Sequence, residues 1–267
     1  MNITEKHIKS NKSNILMKLP IKQRKAKELA QQYTKKNRII DITGLTIYSI
    51  LFIALAAKLI QTFTSIPILV ASFFLSLAIA DFISGMIHWS ADTWGTADTP
   101  IFGSLIIHGF REHHVDAKAI THHDFIQTNA MSSIAAIPFQ IIALLIAPTN
   151  TGTSLLFTTL ALLTLWGPLT NQIHKWAHQD TKPPLIIRIA QRTRIILSKQ
   201  SHDYHHTAPF ECYYCITTGW WNWFLTKIHF FRRLEKIITK LTGVIPRQDD
   251  IGSKAARMLA RQQGIIK

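Results

Sequence analysis

The chain has 267 residues, 47% of them hydrophobic and 17% charged, with a formal net charge of +15. Residues 1–40 hold 11 Lys and Arg against two Glu, residues 224–267 hold ten against three acids, and Lys58 is the single basic residue between positions 39 and 110. Basic side chains gathered at the ends exclude a simple nucleic-acid-binding domain, where they would be interleaved with the fold. Two cysteines, Cys212 and Cys215, give no disulfide framework.

In chain order, residues 1–40 read as a flexible basic tail near anionic lipid head groups, too polar for a cleavable signal peptide. Apolar runs at 42–63, 66–88, 131–147 and 154–173 follow, close to the about 20 residues that a membrane span needs, the third being the shortest. The expected fold is an all-α integral membrane protein with about four transmembrane helices and a histidine-rich cytoplasmic cap. Its expected parts are a basic tail over 1–40, a membrane domain over 41–223 and a second basic tail over 224–267.

Thr64-Ser65 and the turn at 148–153 carry no Lys or Arg, whereas the tails and the loops at 89–130 and 174–223 carry all the basic residues except Lys58. The positive-inside rule therefore places both termini and both long loops in the cytoplasm. Lys58 lies near the outer end of its span and can snorkel to the interface. Asp81, inside the second span, reads either as a group supporting a site or as a helix-packing polar residue. Residues 183–198 read as an amphipathic helix, lying on the membrane or packed on the cytosolic portion. Six of the seven tryptophans, Trp89, Trp94, Trp176, Trp220, Trp221 and Trp223, suggest first an interfacial aromatic belt and second a wall for an acyl or alkyl chain.

Eleven of the 13 histidines fall into four clusters: His88, His108 to His123, His174 with His178, and His202 with His205 and His206. By the topology above, all four converge on one membrane face. His174 and His178 are i, i+4, as are His88 and Asp92, so each pair shares a helix face. His202 with His205 and His206 also shares a face, and the last two are adjacent ligands able to reach different metals. A cysteine-free histidine set with carboxylate support suits iron, zinc or manganese, and oxygen chemistry favours iron. Two such ions need about eight to ten ligands, and nine histidines are available. Arg111 and Glu112 read as supports for imidazoles or as solvated charges, and Asn171 as a holder of metal-bound water or a helix-packing residue. His108 and His122 have no partner spacing, His7 and His229 read as surface residues, and a lone CxxC at 212–215 is a poor zinc knuckle.

The stretches HWSADTWG (88–95), FREHHVDAKAITHHDF (110–125), NQIHKWAH (171–178), SHDYHH (201–206) and YYCITTGWWNW (213–223) resemble the plasmanylethanolamine desaturase family, relatives of the plant fatty acid desaturase 4 group. The resemblance covers about residues 40 to 250. It implies conversion of the alkyl ether of a plasmanyl phospholipid to the vinyl ether of a plasmalogen, with a histidine-held di-iron centre, O2 and an external electron donor such as cytochrome b5 or a ferredoxin. Carried over by motif, it implies a site of His88, Asp92, His113, His114, His123, His174, His178, His202, His205 and His206, all the histidines being metal ligands. The family writes Asp-Pro where this chain has Asp116-Ala117, and Cys212 departs from the pattern while Cys215 matches it.

Rival readings are an acyl-lipid desaturase or hydroxylase using the same centre, a metal transporter or sensor, and a zinc hydrolase. Transport calls for ionisable groups along the membrane path, where only Asp81 and Lys58 lie. One zinc site needs far fewer histidines. The lack of an appended targeting domain leans toward a bacterial inner membrane over endoplasmic reticulum.

Overall fold

A computed structural model describes residues 28, 31, 33–96, 98–207, 210–248 and 252–267, without the side chains of 104 and 105. The expected flexibility of residues 1–40 and the place of His7 fall mainly outside the described residues. Four long helices carry the fold: α1 (Lys35–Gln61), α2 (Ile66–Thr93), α5 (Phe125–Leu145) and α6 (Thr151–His178). Each is long and apolar enough to cross a membrane. Between α2 and α5 lie a π-helical turn (Gly103–Ile107), α3 (His108–Val115) and α4 (Ala119–His122). After α6 come α7 (Leu185–Arg192), α8 (Lys199–Asp203), α9 (Trp220–Lys227), α10 (Phe230–Thr242) and α11 (Ser253–Gln262).

The long helices start where side chains satisfy the first free N–H groups. Thr34 and Asn37 form a capping box before α1, Ser65 caps α2, Asp124 caps α5, and Asn150 forms a capping box with Thr153 before α6. These caps explain why α1 and α5 begin six or seven residues ahead of their apolar runs. At the other end, the 28 residues of α2 and of α6 span about 42 Å, against about 30 Å of hydrocarbon. The surplus of about eight residues in each carries His88 and Asp92, or His174 and His178.

α1 packs mainly on α5, α5 on α6, and α6 on α2, so the second hairpin inserts between the first two helices. Small residues permit this closeness in lipid. A Cβ on Gly167 would lie 2.9 Å from the Ala136 Cβ and 3.0 Å from the Ser132 carbonyl oxygen. Buried side chains also bond across helices: the Tyr48 hydroxyl donates to the Thr164 carbonyl at 2.9 Å and the Trp166 indole to Ser76 Oγ at 3.0 Å. The outward faces stay apolar, with Ile39, Ile50, Ile53 and Leu145 exposed as lipid-facing side chains are.

Lys58 reaches the end of the neighbouring span, where its ammonium has main-chain partners. Its ammonium donates to the Leu144 and Ile146 carbonyls, both at 2.7 Å, and caps the end of α5. The amphipathic helix is only α7, because Arg194 turns into left-handed backbone (φ 59°) and stops it. Leu185, Ile186 and Ile189 on α7 are exposed. α9, α10 and the segment up to Arg247 pack back on α2. The Trp89 indole donates to Glu235 at 2.9 Å, Arg232 and Arg247 pair with that carboxylate at 2.5 and 2.9 Å, and the Arg247 amide donates to the Thr93 carbonyl at 2.8 Å. Trp89 is thus a buried anchor and does not belong to an aromatic belt.

Candidate metal centre

The overhanging ends of α2 and α6 meet α3 and α8, and there the histidines gather. Two groups of donors form, each with ligand atoms within 4.8 Å of one another: His113, His174, His178, His202 and His206 in one, and His88, Asp92, His114 and His205 in the other. The i, i+4 pair on α6 supplies two members of the first group, and that on α2 supplies two members of the second. The two adjacent pairs divide: His113 and His206 enter the five-histidine group, their neighbours His114 and His205 the other. Successive residues on a helix point about 100° apart, so one turn of backbone between the groups reaches both.

In the five-histidine group, His174 Nε2 lies 2.8 Å from His202 Nε2 and 3.2 Å from His178 Nε2, and His206 Nε2 lies 3.1 Å from His202 Nε2. A neutral ring nitrogen holds either one hydrogen or one lone pair. At most two of these three contacts can therefore be hydrogen bonds, whereas one cation can accept all four lone pairs. Both ring nitrogens of His113 are buried without a hydrogen-bond partner. Burial, then neighbouring imidazoles, hold His113 and His202 well below the usual histidine range and push His206 down to about 2, so the rings stay neutral and ready to ligate.

In the second group, Asp92 Oδ2 is 3.2 Å from His88 Nε2, 3.3 Å from His114 Nε2 and 3.4 Å from His205 Nε2. The Nε2 atoms of His88 and His205 and both Asp92 oxygens are buried with no hydrogen-bond partner. Behind the rings, His88 Nδ1 bonds the Tyr214 carbonyl at 3.0 Å and His205 Nδ1 the Cys212 carbonyl at 2.9 Å. A carbonyl only accepts, so each Nδ1 carries the hydrogen and each Nε2 turns its lone pair inward. Metal-binding histidines are held in this way. Converging lone pairs, one carboxylate and no thiolate fit two divalent cations of the iron, zinc or manganese type.

The structure thus brings together eight of the nine histidines singled out as ligands, with Asp92. His123 lies in neither group: its Nε2 faces Glu112 Oε2 at 3.6 Å. The Arg111 guanidinium is buried and donates to the Asp92 and Gly95 carbonyls at 3.0 and 3.3 Å, fixing α3 to the end of α2. Asn171 bonds the Thr128 carbonyl at 3.0 Å, a helix-packing contact. His108 is buried, His122 is exposed, and neither joins a group. Cys215 is buried and Cys212 half-buried, both outside the groups. The Asp116 carboxylate caps the Lys118 amide at 3.0 Å, so the turn closes with Ala117 in place.

Sequence reading left Asp81 open between a group supporting a site and a helix-packing residue, and did not show the loop it holds. Asp81 accepts from the amides of Thr217, Thr218 and Gly219 on Oδ1 (3.1, 2.7 and 2.8 Å) and from Trp221 on Oδ2 (3.2 Å). It clamps the 213–219 loop, whose start supplies the Tyr214 carbonyl to His88. Gly219 begins α9 in left-handed backbone (φ 77°), where glycine carries no steric penalty. Gly85 lets the loop approach, since a Cβ there would lie 2.4 Å from Cys215 Sγ. A polar residue inside a span was a visible signal for Asp81. The partner was not visible, because main-chain donors leave no mark in sequence.

Residues 77–249, which include every member of both groups, match the lipid desaturase domain. The chain is 42% identical over 245 residues to a plasmanylethanolamine desaturase of Myxococcus xanthus, covering 91% of this chain and 87% of that protein. It is 39% identical over 237 residues to plasmanylethanolamine desaturase 1 of Mus musculus, covering 85% and 86%. Fatty acid desaturase 4-like 1, chloroplastic, of Arabidopsis thaliana is 33% identical over 169 residues, 62% of this chain and 55% of that protein. No solved structure matches. With its spans, its buried histidine groups and these similarities, the chain belongs to the plasmanylethanolamine desaturase family of membrane lipid desaturases.

Proposed function

We propose that the chain desaturates the alkyl ether chain of plasmanyl phospholipids to a vinyl ether, with two iron ions held by the two groups. The observation that carries this reading is the division of adjacent histidines between two buried groups at the ends of the spans. The enzyme is an oxidoreductase and its substrate a membrane lipid. Two hydrogens leave adjacent carbons, two electrons and two protons come from outside, and O2 leaves as two waters. Bound iron would supply the oxidising power to break unactivated C–H bonds, which no side chain possesses.

The chain's own residues hold that chemistry in place. His113, His174, His178, His202 and His206 would hold one ion, and His88, Asp92, His114 and His205 the other. Asp92 brings a negative charge to the second site. Phe110 packs on His88 and Phe210 on His114, with ring centroids 5.2 and 4.8 Å apart, and Tyr214 packs on His205 at 5.2 Å, so apolar rings exclude water. In this reading the site at the ends of the spans lies at the membrane boundary and meets the first carbons below glycerol, where an ether-linked chain begins. Both termini are cytoplasmic in this reading, and the basic tails offer a docking surface for an acidic donor such as cytochrome b5 or a ferredoxin. A bacterial inner membrane is favoured over endoplasmic reticulum in this reading.

The test is lipid mass spectrometry with acid hydrolysis on plasmalogen-deficient cells fed an alkylglycerol, expressing this chain or its His178→Ala variant. Acid-labile vinyl ethers are expected with the unaltered chain alone. Expressed, iron-loaded protein with a working donor and no vinyl ether would overturn the reading, and new double bonds in ester-linked chains would then mark an acyl-lipid desaturase.

A further inference from the structure

Two short helices at the histidine end of the spans turn apolar side chains outward. α7 has three faces. Ile187 and Ala190 pack on the cluster that Ile173 and Ala177 of α6 form with Ile196, Leu197 and Ile216. Leu185, Ile186 and Ile189 are exposed. Arg188 and Arg192, one helical turn apart, form the third face and are exposed too. Just beyond the helix, the Arg194 carbonyl accepts from the indole of Trp220, the first residue of α9, at 2.7 Å. α9 therefore continues the surface of α7, and Trp220, Trp223 and Phe224 are exposed on it.

The depth of this surface follows from what α9 touches. The Trp221 indole donates to the Ala78 carbonyl at 2.8 Å, and its ring packs on Phe82 with centroids 6.2 Å apart. Counted from Ile66, Ala78 lies about 18 Å along α2, inside about 30 Å of hydrocarbon. The exposed Phe74 and Leu75 precede Ala78 by one turn on the same face of α2. α9 thus rests against a lipid-facing side of the span, where its outward rings have lipid beside them. Residues 181–202 meanwhile hold five Lys and Arg and no Asp or Glu. Apolar side chains at this depth, flanked by cations, match the acyl chains and head groups of an anionic bilayer surface. An acidic protein would answer the cations and leave the apolar side chains unexplained.

We propose that α7 and α9 form a ledge seated in the bilayer surface, with Leu185, Ile186, Ile189, Trp223 and Phe224 among the acyl chains and Arg188 and Arg192 on anionic phospholipid head groups. The ledge is separate from both histidine groups and does not depend on the reaction assigned to them. The segment between its two helices carries His202, His205 and His206, so lipid that holds α7 and α9 holds both ends of a ligand-bearing stretch.

The test uses the whole metal-loaded chain in nanodiscs, with Cys212→Ser and a fluorophore on Ile186→Cys or Trp223→Cys, in variants that keep the metal content of the unaltered protein. In phosphatidylcholine discs both fluorophores should be quenched by lipid carrying a nitroxide high on its acyl chain, and shielded from aqueous iodide. Moving the nitroxide to trace phosphatidylglycerol should reveal about fivefold or greater enrichment of the anionic lipid around position 186. Arg188→Gln combined with Arg192→Gln should abolish that enrichment and leave quenching by labelled phosphatidylcholine. Fluorophores open to iodide and untouched by the lipid nitroxide would overturn the proposal by placing the ledge in water. Shielding from both quenchers would overturn it in favour of a protein partner. Equal quenching by the two labelled lipids, or an enrichment that survives the double substitution, would overturn it as well.

Discussion

His113 and His114 are neighbours in sequence yet belong to different groups, as do His205 and His206. Single substitutions should therefore separate the two sites. Losing even a hydrogen-bond partner of a ligand costs about 10- to 100-fold in metal affinity, and losing a ligand costs at least as much. His205→Ala leaves three donors in its group and is expected to shed about one ion per chain on dialysis. His206→Ala leaves four histidines and should keep its ion at lower affinity. Metal analysis after dialysis against a graded chelator checks both, and equal losses from the two variants would contradict the division. His123→Ala should retain the full metal content, because that ring faces Glu112 and lies outside both groups.

At the scale of the element, the 213–219 loop is a strap held against α2. Its amides bond Asp81, the Ile216 amide donates to Ser84 Oγ at 3.1 Å, and Asn222 bonds both polar groups of the Cys215 backbone at 2.8 Å. The strap in turn orients His88 through the Tyr214 carbonyl. Asp81→Asn places an N–H₂ group toward one of the loop amides and should destabilise the protein by about 1–3 kcal/mol. Gly85→Ala forces a Cβ against Cys215 and should cost about 1–3 kcal/mol by overpacking. Both should lower metal retention in the His88, Asp92, His114 and His205 group more than in the other. Melting temperature and metal content of the two variants decide this, and a variant with normal metal and reduced stability would confine the strap to a structural role.

Across the whole molecule, folding converts scattered imidazoles into a buried neutral cluster. His113, His202 and His206 titrate below the ordinary range because burial penalises their charged forms. In the unfolded chain the same rings take up protons near about pH 6.5. Below that pH the unfolded state binds more protons, so the stability of the metal-free protein is full above about 6.5 and is lost as pH falls toward the folded values. Chelator-treated protein in detergent should show a melting temperature that drops from pH 8 to pH 5. The metal-loaded protein should drop less until protons displace the ions. Coincident curves with and without chelator would argue that no ion stabilises the cluster.

The sequence by itself determined the spans, the face on which the histidines converge, and the i, i+4 pairs. Hydropathy over about 20 residues and helical periodicity are local properties that need no partner. The motif resemblance also marked Asp92 as a site residue. Tertiary structure decided which imidazoles share a group, since His113 and His114 have identical local signals and part only because α6 and α8 meet one and α2 meets the other. It also decided that His123 stands apart and that Asp81 binds main-chain amides some 136 to 140 positions away. Each of these depends on contacts between distant segments, and backbone donors and carbonyls carry no residue-type signature by which a sequence could announce them.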